Sequence, residues 1–358
     1  MTASLSSATL ALQRAMPISR LLDCGMDFAD ATALFARSTA GEAWDEVAEA
    51  LADVQLSRAV EAAATGHLVT AAKAQAEAIA NLLFAQMAFN HDVPRKRALY
   101  GRLVEATWRL ADWSDNRIER VEVPFEQAKL IGWLVRPSSG YARGTVLLFG
   151  GQSGWGMAYL PIARALALRG LATLLAEGPG QGETRIEQRV FVDVDVPAAY
   201  RQFVNLIVAD SSLGPVGIWG NSVGGLWAAA TAASDDRIRA CCVNGSFAAP
   251  SLLPFRTFVE QAGAMLGTDD EQAISENFRR MSFSAGRDRI SCPLLVLHGG
   301  EDPLVKLEDQ QPFLDAASLD DVTLKIWPDG DHTIYNHSSE RTAWVSDWFS
   351  DRLGLRSG

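Results

Sequence analysis

A serine between small residues stands at the end of an apolar run, in the segment Gly220-Asn221-Ser222-Val223-Gly224. The spacing is Gly-x-Ser-x-Gly, which is typical of a sharp turn from a strand into a helix that exposes a serine hydroxyl. Gly220 and Gly224 are needed in such a turn because any Cβ there would collide with the adjoining strand or helix. The segment predicts that Ser222 is a nucleophile, the alternative being a serine in an ordinary glycine-rich loop.

A serine hydroxyl is a weak nucleophile at neutral pH, so Ser222 requires a base to take its proton and a carboxylate to orient that base. The chain has five histidines, of which His332 and His337 follow the last predicted strand. His332 lies in a glycine-containing loop over residues 327–333, where a base facing the serine turn is expected. We predict His332 as the base. His337 is the competitor, and a purely structural or solvated histidine is the alternative.

The orienting carboxylate is also expected to follow a strand. Residues 294–298 form an apolar run, and Asp302 comes four residues after it, so we predict Asp302 as the orienting residue. The competing acids are Glu301, Asp329 and Asp331, and in the alternative interpretation Asp302 only caps a turn or the next helix. The catalytic residues then occur in the chain order Ser, Asp, His.

The oxyanion of an acyl-transfer intermediate needs two backbone N–H donors. One is expected from Val223, the residue after the nucleophile, and the other from the glycine-rich loop over residues 149–156. Within that loop the second donor is either Gln152 or Gly151. The same loop is a poor phosphate cradle, because it lacks both the Gly-Lys-Ser/Thr ending of a P-loop and the Gly-x-Gly-x-x-Gly spacing of dinucleotide sites.

The elements that position these residues divide the chain in two. Residues 1–115 are rich in Ala, Leu, Glu and Gln, and their apolar positions recur at helical spacing. They predict a helical N-terminal region, with helices over 43–64, 68–89 and 95–112. We expect this region to act as a cap that closes one side of the pocket.

From residue 116 to 358, short apolar runs alternate with helical segments, which predicts a mainly parallel central sheet flanked by helices. A hairpin at 118–124 and 130–137 precedes it. Further strands are predicted at 145–149, 172–175, 216–219, 238–243, 294–298 and 322–327. The alternation pauses at about 245–289 in a helical insertion, which is expected to form a lid over the strand ends. Trp155, Phe255 and Phe258 are predicted to line the substrate pocket.

The composition of the chain argues against several classes of binding partner. The 358 residues carry a net charge of −11 and no basic run, so nucleic acid has little support as a partner. The four cysteines have neither disulfide-framework nor metal-ligand spacing, and no metal or organic cofactor is expected. Without a basic, apolar leader or a membrane-length apolar run, we expect a cytoplasmic protein with no membrane partner. The sequence is compatible with a homodimer.

Four motifs together resemble the α/β-hydrolase fold superfamily from about residue 116 onward: the serine turn, the Gly150-Gly151 loop, His298-Gly299-x-x-Asp302 and Gly330-Asp331-His332. Residues 177–183, Glu-Gly-Pro-Gly-Gln-Gly-Glu, with helices ahead of the core, are similar to a narrower group. That group includes dihydroxypseudooxynicotine hydrolase, fungal polyketide-shortening hydrolases and fermentation-respiration switch esterase-like proteins. Glu177 stands where the family usually has Asp.

The first two members of that group cleave a carbon-carbon bond beside a ketone. The resemblance therefore implies a Ser-His-Asp hydrolase acting on an apolar, aromatic or polyketide-like small molecule with a carbonyl. One departure is that residues 243–259 contain no acid, whereas the nicotine-pathway enzyme is expected to have an extra carboxylate there. The alternatives are a carboxylesterase or thioesterase, an acyl transferase or cyclase, and a non-catalytic binding protein, against which an intact triad argues.

Overall fold

The computed structural model describes residues 7–193, 195–318 and 320–354. The chain divides into two compact units, Met1–Ile118 and Glu119–Gly358. Over the described residues, no helix combines the length and the apolar character needed to cross a membrane. Among the described residues, Cys24, Cys241, Cys242 and Cys292 are buried and form no disulfide bond.

The first unit contains helices that pack through small side chains. They are α1 (Ser7–Ala15), α2 (Ile18–Asp23), α3 (Phe28–Thr39), α4 (Trp44–Ala64), α5 (Leu68–Gln86) and α6 (Pro94–Trp113). Buried alanines such as Ala52 on α4 and Ala78 on α5 allow the helices to approach closely. The predicted helix over 68–89 ends early, at Gln86. The buried Lys96 ammonium donates to the carbonyl oxygens of Gln86 and Phe89, which helps to satisfy the chain where the helix stops.

The strands and helices after this unit alternate as the sequence predicts. The strands are β1 (Ile118–Phe125), β2 (Ala128–Val135), β3 (Thr145–Phe149), β4 (Ala172–Glu177), β5 (Val216–Asn221), β6 (Ile238–Asn244), β7 (Leu294–Gly299) and β8 (Val322–Trp327). The helices are α7 (Leu160–Ala167), α8 (Gly182–Ile186), α9 (Val196–Ala209), α10 (Val223–Ser234), α11 (Arg256–Leu266), α12 (Glu271–Arg280), α13 (Leu307–Asp315) and α14 (Ser338–Leu353). The short α8 begins inside residues 177–183, which the sequence predicts only as a turn.

The strands form one eight-stranded sheet in the order β1-β2-β4-β3-β5-β6-β7-β8. β2 pairs antiparallel with β4, and the pairs from β4 through to β8 are parallel. Every residue of β3, β4 and β5 is buried, as expected for parallel strands with helices on both faces. The carboxyl ends of β3, β5, β6 and β7 therefore lie at the same edge, where α/β sheets hold their ligands.

Residues 245–289 contain two helices, α11 and α12. The Asp270 carboxylate caps α12 by accepting a hydrogen bond from the Gln272 N–H at 2.9 Å. Apolar side chains of both helices, including Phe258, Met265 and Phe278, belong to the hydrophobic core of the sheet unit. The insertion is thus packed against the core through its apolar faces.

Candidate active site

Ser222 lies between the end of β5 and the start of α10, in a strained backbone conformation with φ 57° and ψ −137°. Such a conformation costs on the order of 1–3 kcal/mol and is frequent at functional sites. The neighbouring chains approach so closely that a Cβ on Gly220 would lie 2.0 Å from the Gly224 carbonyl oxygen. A Cβ on Gly224 would lie 2.4 Å from the carbonyl oxygen of Gly150. This is the sharp strand-to-helix turn that exposes a serine.

The structure brings Ser222, His332 and Asp302 together in one hydrogen-bonded chain. His332 Nε2 lies 3.0 Å from Ser222 Oγ, and His332 Nδ1 lies 2.9 Å from Asp302 Oδ2. Because a carboxylate only accepts hydrogen bonds, we assign the Nδ1 proton to this contact and leave Nε2 to accept from the serine. The Asp302 side chain is fully buried and also accepts from the N–H groups of Leu304 and Val305. These contacts hold the carboxylate in place beneath the imidazole.

The competing histidine and acids lie elsewhere. His337 Nε2 lies 2.9 Å from Asp329 Oδ1, in a pair whose aspartate side chain is 73% exposed. The Asp331 carboxylate accepts from the Asn336 N–H, and Glu301 is exposed to solvent. None of these contacts leads to Ser222. The catalytic roles of Ser222, His332 and Asp302 remain a prediction, for which this arrangement is the structural basis.

The predicted oxyanion loop lies against the first turn of α10. A Cβ on Gly151 would lie 2.8 Å from Val223 N and 3.0 Å from Ser222 Cβ, so the loop backbone passes directly beside Ser222. Val223 is the first residue of α10, where backbone N–H groups have no partner within the helix. The Gln152 side chain donates to the Phe258 carbonyl oxygen of α11. The backbone N–H groups of Val223, Gly151 and Gln152 are therefore the candidate donors.

A buried polar network, which the sequence analysis does not predict, holds the chain next to His332. The Asn244 side chain donates to Asn221 Oδ1 at 2.8 Å and to the Thr333 carbonyl oxygen at 3.1 Å. Arg341, buried on α14, donates to the same carbonyl at 2.9 Å. Thr333 itself has a φ of 56°, so the chain after His332 is strained and needs this support. The signal in the sequence is an asparagine at the end of each of two adjacent strands.

The three predicted pocket residues have different environments. Trp155 is buried, with the Arg185 guanidinium 5.0 Å from its ring centroid. Phe258 is buried and packs edge-on against Phe278, whereas Phe255 is 46% exposed. An open cavity of about 540 Å³ is lined by other residues of the 245–289 insertion, namely Ala249, Pro250, Ser251, Leu252, Ser275, Arg279 and Ser282. The pocket assignment remains a prediction.

Comparisons with known proteins agree with this architecture. Residues 194–356 match the model of the prolyl oligopeptidase family. The chain is 24% identical over 315 residues to 2,6-dihydropseudooxynicotine hydrolase of Paenarthrobacter nicotinovorans, which covers 87% of this chain and 84% of that protein. A crystal structure of 2,6-dihydroxy-pseudo-oxynicotine hydrolase superposes with a TM-score of 0.83 at 23% identity, covering 94% of this chain and 95% of the other. Wild-type AbyA5 gives a TM-score of 0.70 at 18% identity, with coverages of 96% and 99%.

These matches confirm the predicted α/β-hydrolase fold and the resemblance to the dihydroxypseudooxynicotine hydrolase group. The chain therefore has the α/β-hydrolase fold and is similar in sequence to that enzyme along 87% of its length. Its fold places Ser222, Asp302 and His332 after the carboxyl ends of β5, β7 and β8, at the edge of the sheet where this fold carries its chemistry.

Proposed function

We propose that this protein is a serine hydrolase that cleaves the carbon-carbon bond next to a ketone in an aromatic or polyketide-like compound. The observation that carries the serine-hydrolase assignment is the Ser222–His332–Asp302 hydrogen-bonded chain. The choice of bond rests on the 24% identity to a named pseudooxynicotine hydrolase along 87% of the chain.

In the first half-reaction, Ser222 Oγ forms a bond to the ketone carbon and its proton passes to His332 Nε2. The carbonyl oxygen becomes an oxyanion beside the Val223 N–H and the 150–152 loop. Asp302 orients the imidazole and stabilises its positive charge. The carbonyl then re-forms, the carbon-carbon bond breaks, and its electron pair leaves on carbon and takes the proton from His332 Nε2. The products of this step are an acyl-Ser222 and a protonated carbon fragment.

In the second half-reaction, water gives a proton to His332 Nε2 and attacks the acyl carbon, and the serine ester bond breaks. Ser222 recovers its proton from His332, and the acid is released. The demanding step is the departure of a carbanion. Cleavage of an ester releases an alkoxide instead, which needs less stabilisation. A substrate with a second carbonyl or an electron-rich phenol stabilises that carbanion, so we expect such a group in the natural substrate.

A specific observation favours carboxylesterase or thioesterase activity as the second candidate. Residues 243–259, from the end of β6 onward, contain no Asp or Glu that would assist a departing carbanion. The triad geometry serves an ester equally well, because an alkoxide or thiolate leaves with the His332 proton alone. An acyl transferase or cyclase would use the same acyl-enzyme with another nucleophile in place of water.

The deciding experiment compares kcat/KM for an aryl β-diketone with that for an aryl ester of the same size and acyl group. The proposal predicts measurable ketone cleavage that yields the acid and the shortened ketone. Ser222→Ala is the control and should lower both rates by on the order of 10³-fold or more, so that cleavage that the substitution leaves unchanged does not come from Ser222. Efficient ester turnover without detectable ketone cleavage would assign the protein to the esterase class.

A further inference from the structure

The turn over residues 177–183 lies directly behind the predicted oxyanion loop. Gln181, at 1% exposure, is buried within it. Its Nε2 donates to the Gly150 carbonyl oxygen at 2.7 Å and to the Gly151 carbonyl oxygen at 2.9 Å. Both acceptors are about thirty residues away in the chain and belong to the loop that passes beside Ser222.

Both the nitrogen and the oxygen of the Gln181 side-chain amide form hydrogen bonds. Its Oε1 accepts from the Gly178 N–H at 3.2 Å and lies 3.4 Å from the Tyr200 hydroxyl. Tyr200 is fully buried and stacks on Phe149, the last residue of β3, with ring centroids 3.8 Å apart. Burial raises the pKa of Tyr200, so its hydroxyl keeps the proton that it donates. The amide orientation is therefore fixed.

A trans peptide points its C=O and the following N–H in opposite directions. A bond to the Gly150 carbonyl thus sets the direction of the Gly151 N–H, and a bond to the Gly151 carbonyl sets that of the Gln152 N–H. These are the two candidates for the second oxyanion donor. We propose that Gln181 is a positioning residue that aims the oxyanion-hole donor of the 150–152 loop, whichever of the two it is. The inference rests on the proposed serine-hydrolase function.

The same turn also holds the far end of the loop. The Glu177 carboxylate, 1% exposed, accepts from the Gly156 N–H at 3.1 Å through Oε1 and from the Glu183 N–H at 2.8 Å through Oε2. Residues 150–156 are therefore tied at both ends to 177–183. This gives the Glu-Gly-Pro-Gly-Gln-Gly-Glu segment a role in catalysis without contact with the substrate.

The test uses the full chain with Gln181→Met, which keeps the side-chain length but loses both donors, and Gln181→Glu. A carboxyl carries at most one proton, so the glutamate cannot serve both carbonyls. The matched control is Thr145→Val at the opposite end of β3, where the hydroxyl donates to the Leu213 carbonyl oxygen at 2.7 Å. It also removes a buried side-chain bond to a carbonyl, and it is expected to lower Tm without changing kcat.

Turnover of an activated aryl ester gives kcat and KM. Binding of an aryl trifluoromethyl ketone, which becomes an oxyanion when Ser222 adds to it, is compared with binding of the matched carbinol, which cannot react. We expect kcat of both Gln181 variants to fall about 10- to 100-fold with little change in KM. The affinity for the ketone should fall by a similar factor while the affinity for the carbinol stays the same. A merely structural role of Gln181 would not produce this difference.

Fluorophosphonate labelling of Ser222 in the wild type, measured alongside, separates the two claims. A labelled wild type with Gln181 variants that keep kcat and the ketone-to-carbinol ratio would overturn this inference alone. Variants that lose kcat only in proportion to their folded fraction would overturn it as well. A wild type that neither labels nor turns over the ester would refute the proposed function, and this inference with it.

Discussion

Asp302 and Asp329 each lie 2.9 Å from a histidine nitrogen, but in opposite environments. The Asp302 side chain is fully buried under His332, whereas the Asp329 side chain is 73% exposed beside His337. A buried carboxylate in a low-dielectric site holds an imidazolium far more strongly than an exposed, solvent-screened one. These two aspartate-histidine pairs have the same donor and acceptor groups, and burial distinguishes the pair that we expect to act in catalysis.

The two pairs form a matched test. Asp302→Asn should lower kcat by about 10³-fold or more, because an amide does not stabilise the imidazolium and favours the wrong histidine tautomer. Asp329→Asn makes the same chemical change at the surface and should leave kcat within about twofold. Steady-state turnover of an aryl ester, with circular dichroism to verify folding, measures both. Equal effects of the two substitutions on kcat would contradict a catalytic role for Asp302.

A third histidine, His298, is a structural residue at the end of β7. It is buried, and the Gln310 side chain donates to its Nδ1 at 2.9 Å. Burial lowers the pKa of His298 and outweighs the opposing negative charges of Asp302, Glu308 and Asp309. The folded protein therefore holds this histidine neutral.

Stability should depend on pH in a definite direction at this residue. With a pKa lower in the folded than in the unfolded chain, His298 costs no folding free energy above the unfolded pKa near 6.5. As pH falls through that value toward the lower folded pKa, the unfolded chain binds the proton first and stability is lost. Tm should therefore fall less steeply from pH 7.5 to 5.5 in His298→Asn than in the wild type. Parallel Tm curves would contradict the assignment.

At the scale of elements, the serine turn depends on two backbones that nearly touch. Gly220→Ala places a methyl group 2.0 Å from the Gly224 carbonyl oxygen, a contact that β5 and α10 relieve only by moving apart. Overpacking of this kind costs about 1–3 kcal/mol or more, and it also moves Ser222. We expect a lower Tm together with a loss of kcat larger than the loss of folded protein.

Gly101 provides the control for that substitution. It lies in α6, and a Cβ there would meet nothing within 4 Å. Gly101→Ala should therefore stabilise the protein by about 0.5–1 kcal/mol through helix propensity alone. Chemical denaturation measures both variants, and a Gly220→Ala protein as stable and active as the wild type would show that the turn tolerates a side chain.

At the scale of the whole molecule, the elements with strong local patterns were predictable from the sequence. The continuous apolar run of β3 and the alternation in β1 predicted strands that the structure contains, and helices α4 and α6 begin and end within about a residue of their predicted positions. The fold followed from the order of the motifs. The position of β3 between β4 and β5 could not be predicted from the hydrophobic periodicity of the sequence, because it depends on contacts between distant segments.

The sequence predicted Ser222, Asp302 and His332 as site residues that follow strands, and the structure places those three side chains within hydrogen-bonding distance. Their catalytic roles stay a prediction. Their supports were not predictable. Gln181 contacts Gly150 across 31 positions, and Asn244 contacts Thr333 across 89. Gln181 has no local pattern that marks it, and the strand-end asparagine does not identify its partner, because an amide between glycines or at a strand end is common in loops with no such partner. Only the folded backbone reveals which carbonyl each amide meets.

The identity of the nucleophile is open to direct measurement. The full chain is treated with a fluorophosphonate and digested, and the modified peptide is located by mass spectrometry, with Ser222→Ala treated in parallel. The triad geometry predicts one phosphonylated residue, Ser222, with labelling lost in Ser222→Ala and kcat reduced by on the order of 10³-fold or more in a folded protein. Modification of a different serine, or a Ser222→Ala protein that keeps its turnover, would contradict the mechanism.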